Sequence, residues 1–502
     1  MVQLVDLYKS IKPINYPIPT NNLITIFGDS RTAASTEDAD SAFTPRLTSQ
    51  GYGSWVQVGS QFRGKLVANY GINTDTIDGI TTRLHAAGIA TGSTTADPRR
   101  GYALDYDPGL TASIWVILIG VNNSIEVIAT TGPKYDTLFK ALIDAGKVIV
   151  ICNEIPNSDK SGQGAVNFGR RQYLDTWPDS STGMTAAEKT TYGAKVVRVN
   201  SYDVMALTPT SYFPKTGYHP TGNLLHPSSV GNRYLGTAAI GPVLNNLLAK
   251  AGYAPRNALP TAASQCLLSK SMLLGSTAIT ATNGETAGVG GANLDGNSGV
   301  GVSGNVPSGW TIARGSSLQT LLNAAQPVSG SQLTIVSSKT TDSDGYDAWQ
   351  IVVTGQVGTI STIYAITCTG ESFFTATNIG NTNAGNGVAD GDNLYTIGRL
   401  KLNDGHQGII GLGVQVRGSS TTYPDTGKTI LSGGVATAEA LWDAMATGLD
   451  TAILSQPRLI PAGYVATVES KTLGCDLKIN ICGGVPINFT VTLSRFGMVK
   501  NR

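Results

Sequence analysis

The sequence predicts an α/β domain with a doubly wound parallel five-stranded sheet, followed by an antiparallel β-sandwich or jelly-roll domain. Up to Tyr253, short apolar runs alternate with helix-like stretches, whereas beyond residue 310 strand candidates recur between turn residues. The segment between these two parts is rich in Gly, Ala, Asn, Ser and Thr. We therefore divide the chain into an α/β domain (1–253), a linker and entry segment (254–309) and a β domain (310–502).

Five apolar runs with β-branched residues predict the strands of the parallel sheet. Strands in such a sheet are covered on both faces by crossover helices, so they read as continuous apolar runs rather than alternating ones. Ligands bind such sheets outside the carboxyl ends of the strands, so a site is expected at that edge. The runs are Leu23–Phe27, Leu66–Asn69, Ser113–Ile119, Val148–Cys152 and Val196–Val199.

Helix-like stretches separate these runs, and two of them carry boundary signals. Thr185 and Glu188 have the spacing of a capping box, which satisfies free backbone N–H groups at a helix start. Gly146 lies where a helix commonly ends in a left-handed residue. The stretches are Asp75–Ala87, Tyr135–Ala145, Thr185–Lys195 and Val230–Ala249.

The β domain is predicted from short strand candidates, with a single helix candidate at Thr437–Ala446. Many short strands between turn signals indicate an antiparallel sandwich or a jelly roll. The candidates are Trp310–Arg314, Gln332–Ser337, Trp349–Thr354, Ile363–Thr369, Tyr395–Leu402, Ile409–Val416 and Leu477–Ile481.

Composition and charge exclude several classes of partner. Lys and Arg number 35 against 34 Asp and Glu, so no basic stripe is expected to bind nucleic acid. No run approaches the ~18 apolar residues of a membrane span, and the first residues lack the apolar core of a signal peptide. Charged residues make up only 14% of the chain and 60 of its 502 residues are glycine, a composition typical of turn-rich proteins that are secreted or carried on a virion.

The cysteines favour buried thiols over disulfides or a metal site. Five is an odd number, and their spacing matches no metal motif. Pairing of Cys475 with Cys482 stays open if two strands bring them together, although buried free thiols are favoured. We expect no metal and no cofactor. The five are Cys152, Cys266, Cys368, Cys475 and Cys482.

A serine follows the first strand in the run Gly28-Asp29-Ser30-Arg31. A strand that runs directly into this turn places the Ser30 hydroxyl at the carboxyl edge of the sheet. Such a serine is a nucleophile only if a base takes its proton and dipoles stabilise the oxyanion. The tripeptide Gly-Asp-Ser alone is more often an ordinary turn, so further residues have to decide.

Three further blocks place chemistry-bearing groups at the same edge. Gly71 follows the second strand in Asn69-Tyr70-Gly71, and Asn122 follows the third in Gly120-Val121-Asn122. His226 precedes the last helix of the α/β domain. A glycine permits close backbone approach, an amide side chain can donate a hydrogen bond, and a histidine can act as a base.

These four blocks, in this order and spacing, resemble the SGNH (GDSL-type) hydrolase family over about residues 20–250. The resemblance implies a flavodoxin-like sheet, with Ser30 as nucleophile and His226 as general base. It also implies an oxyanion hole formed by the backbone N–H groups of Ser30 and Gly71 and the side chain of Asn122. No metal or cofactor is implied.

Two positions depart from the family pattern. The residue after Asn122 is usually Asp and here is Asn123, a position more structural than chemical. The family's Asp-x-x-His becomes Asn223-Leu-Leu-His226, and an Asn in place of the aspartate of a serine-protease triad costs ~10⁴-fold in rate. Asn223 or a backbone carbonyl could orient His226; alternatively Glu154, after the fourth strand, or Asp203, after the fifth, supplies the acid. An inactive site is the remaining alternative.

The other polar candidates have plainer interpretations. We interpret His219 as a loop residue or substrate contact, His85 as a surface helix residue, and His406 as part of a turn. The pair Asp390 and Asp392 lacks the remaining ligands of a calcium loop, so it predicts a turn.

The resemblance implies an ester hydrolase, and the polar, Gly- and Asn-rich rim favours a small acyl group on a polar carrier. We therefore expect carbohydrate O-deacetylation. An esterase domain with a β-rich C-terminal half and no export signal is similar to phage tailspikes and tail fibres. That similarity implies a virion or otherwise extracellular location, a homotrimer, and an acetylated bacterial surface polysaccharide as partner. For the β domain (310–502) we expect a role in carbohydrate binding or in oligomerisation. A carbohydrate-binding adhesin with an inactive site and a general lipase or thioesterase are the alternatives.

Overall fold

The computed structural model describes both predicted parts of the chain. The described residues are 17–33, 35, 51–84, 110–123, 125–157, 163–219, 225–267, 271–278, 302–314, 333–355, 363–374, 388–389, 391–418, 428–430, 448–455, 458–460, 472–482 and 486–500. The predicted helix Thr437–Ala446, His85, Asp390 and Asn223 lie outside them.

The N-terminal part contains the predicted parallel sheet of five strands. The strands pair in the order β2-β1-β3-β4-β5, and every pair is parallel. This is the flavodoxin-like order, in which the strand sequence reverses between β1 and β3 and opens a crevice at their carboxyl ends. The strands are β1 (Leu23–Gly28), β2 (Lys65–Gly71), β3 (Ile114–Leu118), β4 (Val148–Cys152) and β5 (Val196–Val199).

Helices cover both faces of this sheet, as the continuous apolar strands predict. Ile24 and Val116 share one buried cluster with Leu244, whereas Phe27 and Trp115 share another with Leu138. The helices are α1 (Ser30–Ala33), α2 (Gly53–Gly59), α3 (Ile77–Thr82), α4 (Ile128–Asp144), α5 (Gln163–Thr176), α6 (Ala186–Gly193), α7 (Ser201–Met205), α8 (Ser229–Tyr234) and α9 (Gly241–Lys250), with a π-helical segment at Leu235–Ile240 between the last two.

The predicted helix boundaries are confirmed at two places. Thr185 Oγ1 accepts from the Glu188 N–H and the Glu188 carboxylate accepts from the Thr185 N–H, which is the expected capping box of α6. Gly146 has φ +80° just after α4. Helices α1, α2, α5 and α7 have no counterpart in the sequence prediction, and α4 begins earlier than the predicted Tyr135.

The C-terminal part contains two sheets. The larger has the order β15-β12-β18-β10-β9-β7-β6, with β16 pairing beside β12, and the smaller has the order β14-β13-β17-β11-β8. The strands are β6 (Thr277–Ala278), β7 (Val302–Val306), β8 (Thr311–Arg314), β9 (Leu333–Thr341), β10 (Asp347–Gly355), β11 (Ile363–Phe374), β12 (Asn393–Leu402), β13 (Ile409–Gly418), β14 (Lys428–Ile430), β15 (Leu449–Leu454), β16 (Arg458–Leu459), β17 (Thr472–Cys482) and β18 (Ile487–Lys500).

Each predicted strand of this part overlaps an observed one, and the pairs are antiparallel except for β7 with β9. Side chains of both sheets, among them Ile351 of β10 and Leu477 of β17, belong to one buried cluster. The mixed sheet region agrees with the β-rich prediction, while the sandwich or jelly-roll topology stays a prediction. The first paired strands, β6 and β7, precede residue 310, where the sequence placed the start of the β domain.

Four cysteines are buried free thiols in the part of the chain whose side chains the structure describes. Cys152, Cys266, Cys368 and Cys475 are free and buried. Cys475 and Cys482 lie on the same strand, β17, which separates them by roughly 23 Å at ~3.3 Å per residue. A disulfide needs Cα atoms within about 7 Å, so the open alternative of a Cys475–Cys482 bond is wrong.

None of the helices in the described ranges has the length and apolarity that a bilayer crossing requires.

Candidate active site

Ser30 and His226 meet at the carboxyl edge of the parallel sheet. Ser30 begins α1 directly after β1, and His226 lies shortly before α8. Ser30 Oγ and His226 Nε2 are 2.8 Å apart although 196 positions separate the residues in the chain. Both side chains are half-buried, so a solvent-borne ester has access to them.

The turn into α1 requires a glycine before the Asp29–Ser30 pair. A Cβ on Gly28 would lie 2.1 Å from the backbone oxygen of Leu118 and 2.3 Å from Thr32 Oγ1. The backbone oxygen of Asp29 then accepts from the N–H groups of Thr32 and Ala33. Strand β1 therefore passes into a helical turn within two residues, and Ser30 is the residue at the corner.

A fully buried ion triad includes both chain neighbours of Ser30. Asp29, Arg31 and Glu154 each expose no side-chain surface. Arg31 Nε and Nη2 donate to the two carboxylate oxygens of Asp29 at 2.9 and 2.7 Å, and Nη1 donates to Glu154 Oε2 at 2.6 Å. Asp29 Oδ1 also accepts from the Arg31 backbone N–H at 3.0 Å. The triad therefore links the turn that carries Ser30 to Glu154, which lies two residues beyond the end of β4.

Electrostatics keep Arg31 charged in this position. Burial alone would lower the pKa of its guanidinium, but the adjacent carboxylates of Asp29 and Glu154 hold that pKa well above its ordinary value. A buried ion needs such partners, because an unpaired charge costs several kcal/mol (about 3–5) in the interior.

Glu154 is held tightly in this triad. Its φ is +76°, a conformation that costs about 1–3 kcal/mol for a residue other than glycine. The carbonyl oxygen of Glu154 accepts from Ser201 Oγ at 2.8 Å, and its carboxylate binds Arg31. A Cβ on Gly120 would lie 2.5 Å from Glu154 Oε1, so the glycine leaves room for the carboxylate.

The end of β2 packs directly against α1. A Cβ on Gly71 would lie 2.2 Å from the backbone nitrogen of Ala33, so only glycine fits. The Gly71 N–H donates to Asn69 Oδ1 at 2.8 Å, and Asn69 Nδ2 donates to the backbone oxygen of Thr32 at 3.0 Å. The predicted close approach is present, and the Gly71 N–H already has an acceptor.

Of the two asparagines after β3, Asn122 is half-buried and Asn123 is buried. Asn122 Nδ2 uses one hydrogen on the backbone oxygen of Asp75 at 2.9 Å, which leaves its second amide hydrogen without a described acceptor. Asn123 is buried and its Oδ1 accepts from the Ile77 N–H at the start of α3. Asn123 thus has the structural contact that the sequence analysis expected.

Arg170 of α5 supports this loop and was not found from the sequence. It is fully buried, and its guanidinium donates to the backbone oxygens of Gly120, Asn123 and Glu126 at 2.8, 3.0 and 3.0 Å. Asn69 is the second residue without a predicted role. Its position within the quoted block beside Gly71 was a usable signal, whereas Arg170 lies in a helix that the sequence did not indicate.

The remaining acid candidates have other partners. Asp203 pairs with Arg171 at 2.6 Å and accepts from Asn200 Nδ2 at 2.7 Å. Glu154 is bound to Arg31, as described above. Asn223, the residue in the family's aspartate position, lies outside the described residues.

The structure describes two further histidines, His406 and His219, and neither belongs to a metal-binding cluster of the described residues. His406 Nδ1 lies 2.8 Å from the backbone oxygen of Asn403 in the turn after β12, and His219 is buried in the loop that precedes the site. Within the described ranges, no group of three His, Cys, Asp or Glu side chains is arranged to hold a metal ion.

The arrangement can carry out nucleophilic chemistry of the serine–imidazole type. A hydroxyl in hydrogen-bond distance of an imidazole nitrogen can transfer its proton as it attacks a carbonyl carbon. Ser30 follows β1 and Asn122 follows β3, so both residues lie at the carboxyl edge of the sheet.

Comparisons with known proteins gave matches among solved structures. The chain is similar to a carbohydrate acetylesterase from Sinorhizobium meliloti (12% identity, TM-score 0.28, 46% of this chain and 100% of that chain). It is also similar to a GDSL-like lipase from Bacteroides thetaiotaomicron (12% identity, TM-score 0.29, 50% and 97%). A third match is a tail fibre protein from an E. coli phage (13% identity, TM-score 0.28, 95% of this chain and 47% of that chain).

Neither the protein-family models nor the curated proteins contain a match to this chain.

Proposed function

We propose that the protein is a serine ester hydrolase of the SGNH type. The observation that carries this proposal is the 2.8 Å separation of Ser30 Oγ and His226 Nε2 at the carboxyl edge of a flavodoxin-like sheet. No metal or cofactor is needed for this chemistry, because the nucleophile, base and oxyanion donors come from the chain itself.

In the proposed reaction, Ser30 Oγ attacks the ester carbonyl while its proton passes to His226 Nε2. Collapse of the tetrahedral intermediate breaks the acyl–oxygen bond, and the imidazolium returns the proton to the leaving alcohol. Water then adds to the acyl-enzyme by the same route and releases the acid and the free serine.

The proposed oxyanion hole uses the Ser30 N–H, the Asn122 side chain and the Gly71 N–H. The first two are the better supported, since neither the Ser30 N–H nor the second Asn122 amide hydrogen has a described acceptor. The Gly71 N–H takes part if Asn69 Oδ1 shares it or moves away.

For the third member of the triad we propose Asn223 or a backbone carbonyl rather than an acid. This choice is supported by the partners of the two acid candidates, because Glu154 binds Arg31 and Asp203 binds Arg171. An oxygen acceptor fixes the tautomer of His226, but it adds no countercharge to the imidazolium.

We propose that the substrate is an acetyl ester on a bacterial surface polysaccharide. We also propose that the protein is part of a phage tail fibre or tailspike and forms a homotrimer. The polar side chains at the strand ends, Asn69 and Asn122, support a small acyl group on a hydrophilic carrier.

Hydrolysis of p-nitrophenyl acetate by the full chain tests the reaction. We expect Ser30→Ala to remove turnover and His226→Ala to lower kcat by at least 10³-fold, while the matched control Ser180→Ala leaves it unchanged. Acetate release from O-acetylated polysaccharides should exceed hydrolysis of long-chain esters. Absence of turnover in the wild type contradicts the esterase proposal and favours the adhesin alternative, and equal turnover in wild type and Ser30→Ala contradicts the assignment of Ser30 as nucleophile.

A further inference from the structure

A polar groove crosses the solvent face of the larger C-terminal sheet. It is a cleft of about 330 Å³ lined by side chains of β9, β10, β12, β15 and β18 and of the turn after β9. We call it the sheet groove and define it by six of its residues, namely Asp342, Gln350, Arg399, Lys401, Asp450 and Thr492. It belongs to a different sheet from the Ser30–His226 pair.

Strand register places one row of these side chains across four strands. Lys401 pairs with Asp450 on one side and with Thr492 on the other, and Thr492 pairs with Gln350. Residues directly opposite each other in antiparallel strands have side chains on the same face. Four strands span three spacings, or about 14 Å at ~4.8 Å each, so the row is long enough for more than one sugar ring.

The opposite face of these strands is the buried core. Ile351, Leu400 and Leu493 alternate with the groove residues and are fully buried. The backbone that carries the groove is thus fixed by hydrogen bonding between strands and by packing beneath it, which holds the polar row in place before any ligand arrives.

Hydrogen bonds within the protein engage the side chains of Arg399, Asp450 and Asp342, whereas three side chains of the row remain available to a ligand. Arg399 Nε and Nη2 donate to the two oxygens of Asp450 at 2.7 and 3.0 Å, and Asp342 Oδ2 accepts from Ser494 Oγ at 2.7 Å. In the described part of the chain, the side chains of Lys401, Gln350 and Thr492 make no hydrogen bond within the protein. They offer donors and acceptors to a ligand.

The charges and surfaces of the groove select the class of ligand. Arg399 and Lys401 balance Asp342 and Asp450, so the groove has no excess positive charge for a phosphate polymer. Among the described residues, no aromatic side chain lines it for base stacking, and no apolar strip lines it for a lipid or an amphipathic helix. Closely spaced hydroxyl, amide, ammonium and carboxylate groups match a ligand rich in hydroxyl groups.

We propose that the sheet groove is a second binding site, separate from the esterase site, and that it binds a polysaccharide chain through hydroxyl groups. The identification of the bound polymer as the acetylated substrate rests on the proposed function. The proposal that the groove binds a glycan does not depend on that function. A groove on the same polypeptide raises the local concentration of polymer at the esterase site, since the second contact becomes intramolecular.

The test measures binding in the full-length Ser30→Ala chain, which holds polymer without cleaving it. The probes are an array of O-acetylated bacterial surface polysaccharides together with acetylated xylan. In this background we expect Lys401→Ala and the double variant Gln350→Ala/Thr492→Val to weaken Kd for a retained glycan at least tenfold. The control Lys195→Ala changes an exposed lysine at the amino end of β5 and should leave Kd unchanged.

Three results overturn the proposal: no glycan of the array is retained, the groove variants bind as tightly as Lys195→Ala, or the variants alter the oligomeric state in sedimentation without altering binding. The last result makes the groove an interface between copies of the chain. Failure of the esterase proposal is seen separately, in p-nitrophenyl acetate turnover, and leaves the binding result intact.

Discussion

At the scale of single residues, the chain neighbours of Ser30 explain how its hydroxyl is held in position. Asp29 and Arg31 flank Ser30 and are fully buried, while Ser30 between them is half-buried. Their mutual hydrogen bonds and the contact with Glu154 fix the backbone that carries the hydroxyl. The rigid support of a reacting group by buried charges is a form of preorganisation.

The ion triad contains two carboxylates and one guanidinium. Removing the guanidinium should therefore destabilise the fold more than neutralising one carboxylate. Arg31→Met leaves the buried carboxylates of Asp29 and Glu154 without their cation, which should cost about 3–5 kcal/mol. Glu154→Gln keeps the Asp29–Arg31 pair and exchanges one charged hydrogen bond for a neutral one, which should cost about 1–3 kcal/mol. Urea unfolding of both variants and of wild type measures the difference.

The same variants test the role of Glu154. If Glu154 only positions Arg31, kcat/KM in Glu154→Gln should fall far less than in His226→Ala, and its pH profile should keep the wild-type shape. A loss as large as that of His226→Ala, with unfolding free energy unchanged, would instead make Glu154 the acid of a triad.

At the scale of elements, capping chemistry makes α6 sensitive to acid. The pKa of Glu188 is lowered from its ordinary 4.5 to about 2, because its carboxylate accepts from the Thr185 backbone N–H and then from Lys140 and the Thr185 hydroxyl. A carboxylate with a lowered pKa stabilises the folded state above its unfolded pKa, and this contribution is lost as pH falls towards 2. Thr185→Ala should cost about 1 kcal/mol.

Unfolding free energies of wild type and Glu188→Gln, measured between pH 7 and pH 2, give the check. The difference between the two proteins should be constant above about pH 5 and should shrink between pH 4.5 and pH 2. A difference that is independent of pH across that window would mean that the Glu188 charge does not contribute to the cap.

The five parallel strands could be predicted because each is a continuous apolar run, whereas α2 could not. Helix α2 contains Gly53 and Gly59, residues of low helix propensity. Its close contact with the π-helical segment explains the second of them, since a Cβ on Gly59 would lie 2.8 Å from the backbone oxygen of Gly236. Tertiary packing, which no local pattern reveals, selected this glycine.

Strand β18 was missed for a different reason, although it lies between β12 and β10 in the larger sheet. Burial alternates from Ile487 to Leu493, but Arg495 has φ +47° and the register with β12 shifts between Ile397 and Arg399. A bulge of this kind inserts a residue and breaks the period-two pattern.

In the site, Ser30 and His226 could be predicted from their sequence blocks. The ion triad of Asp29, Arg31 and Glu154 could not be predicted, because Glu154 comes next to Arg31 only in the folded chain.

At the scale of the whole molecule, the two parts of the chain share buried surface. Trp55 of α2 belongs to the main cluster of the C-terminal sheets, and Phe62 packs with Tyr395 and Val499. The guanidinium of Arg256 donates to the backbone oxygen of Gly64 at 2.7 Å, and its carbon lies 5.8 Å from the Tyr395 ring centre. Such a contact couples the stability of the parallel sheet to that of the β sheets.

Because the two parts are coupled, replacing a phenylalanine between them should change thermal unfolding differently from replacing a phenylalanine inside the α/β part. Both Phe62→Ala and Phe139→Ala remove a buried ring and should cost about 3–5 kcal/mol. Phe139 belongs to a buried cluster of the α/β part, so its loss should lower Tm while the calorimetric transition stays single. Phe62 lies between the two parts, so its loss should separate the transition into two. A single transition in both variants would show that other contacts, such as those of Trp55, suffice to join the parts.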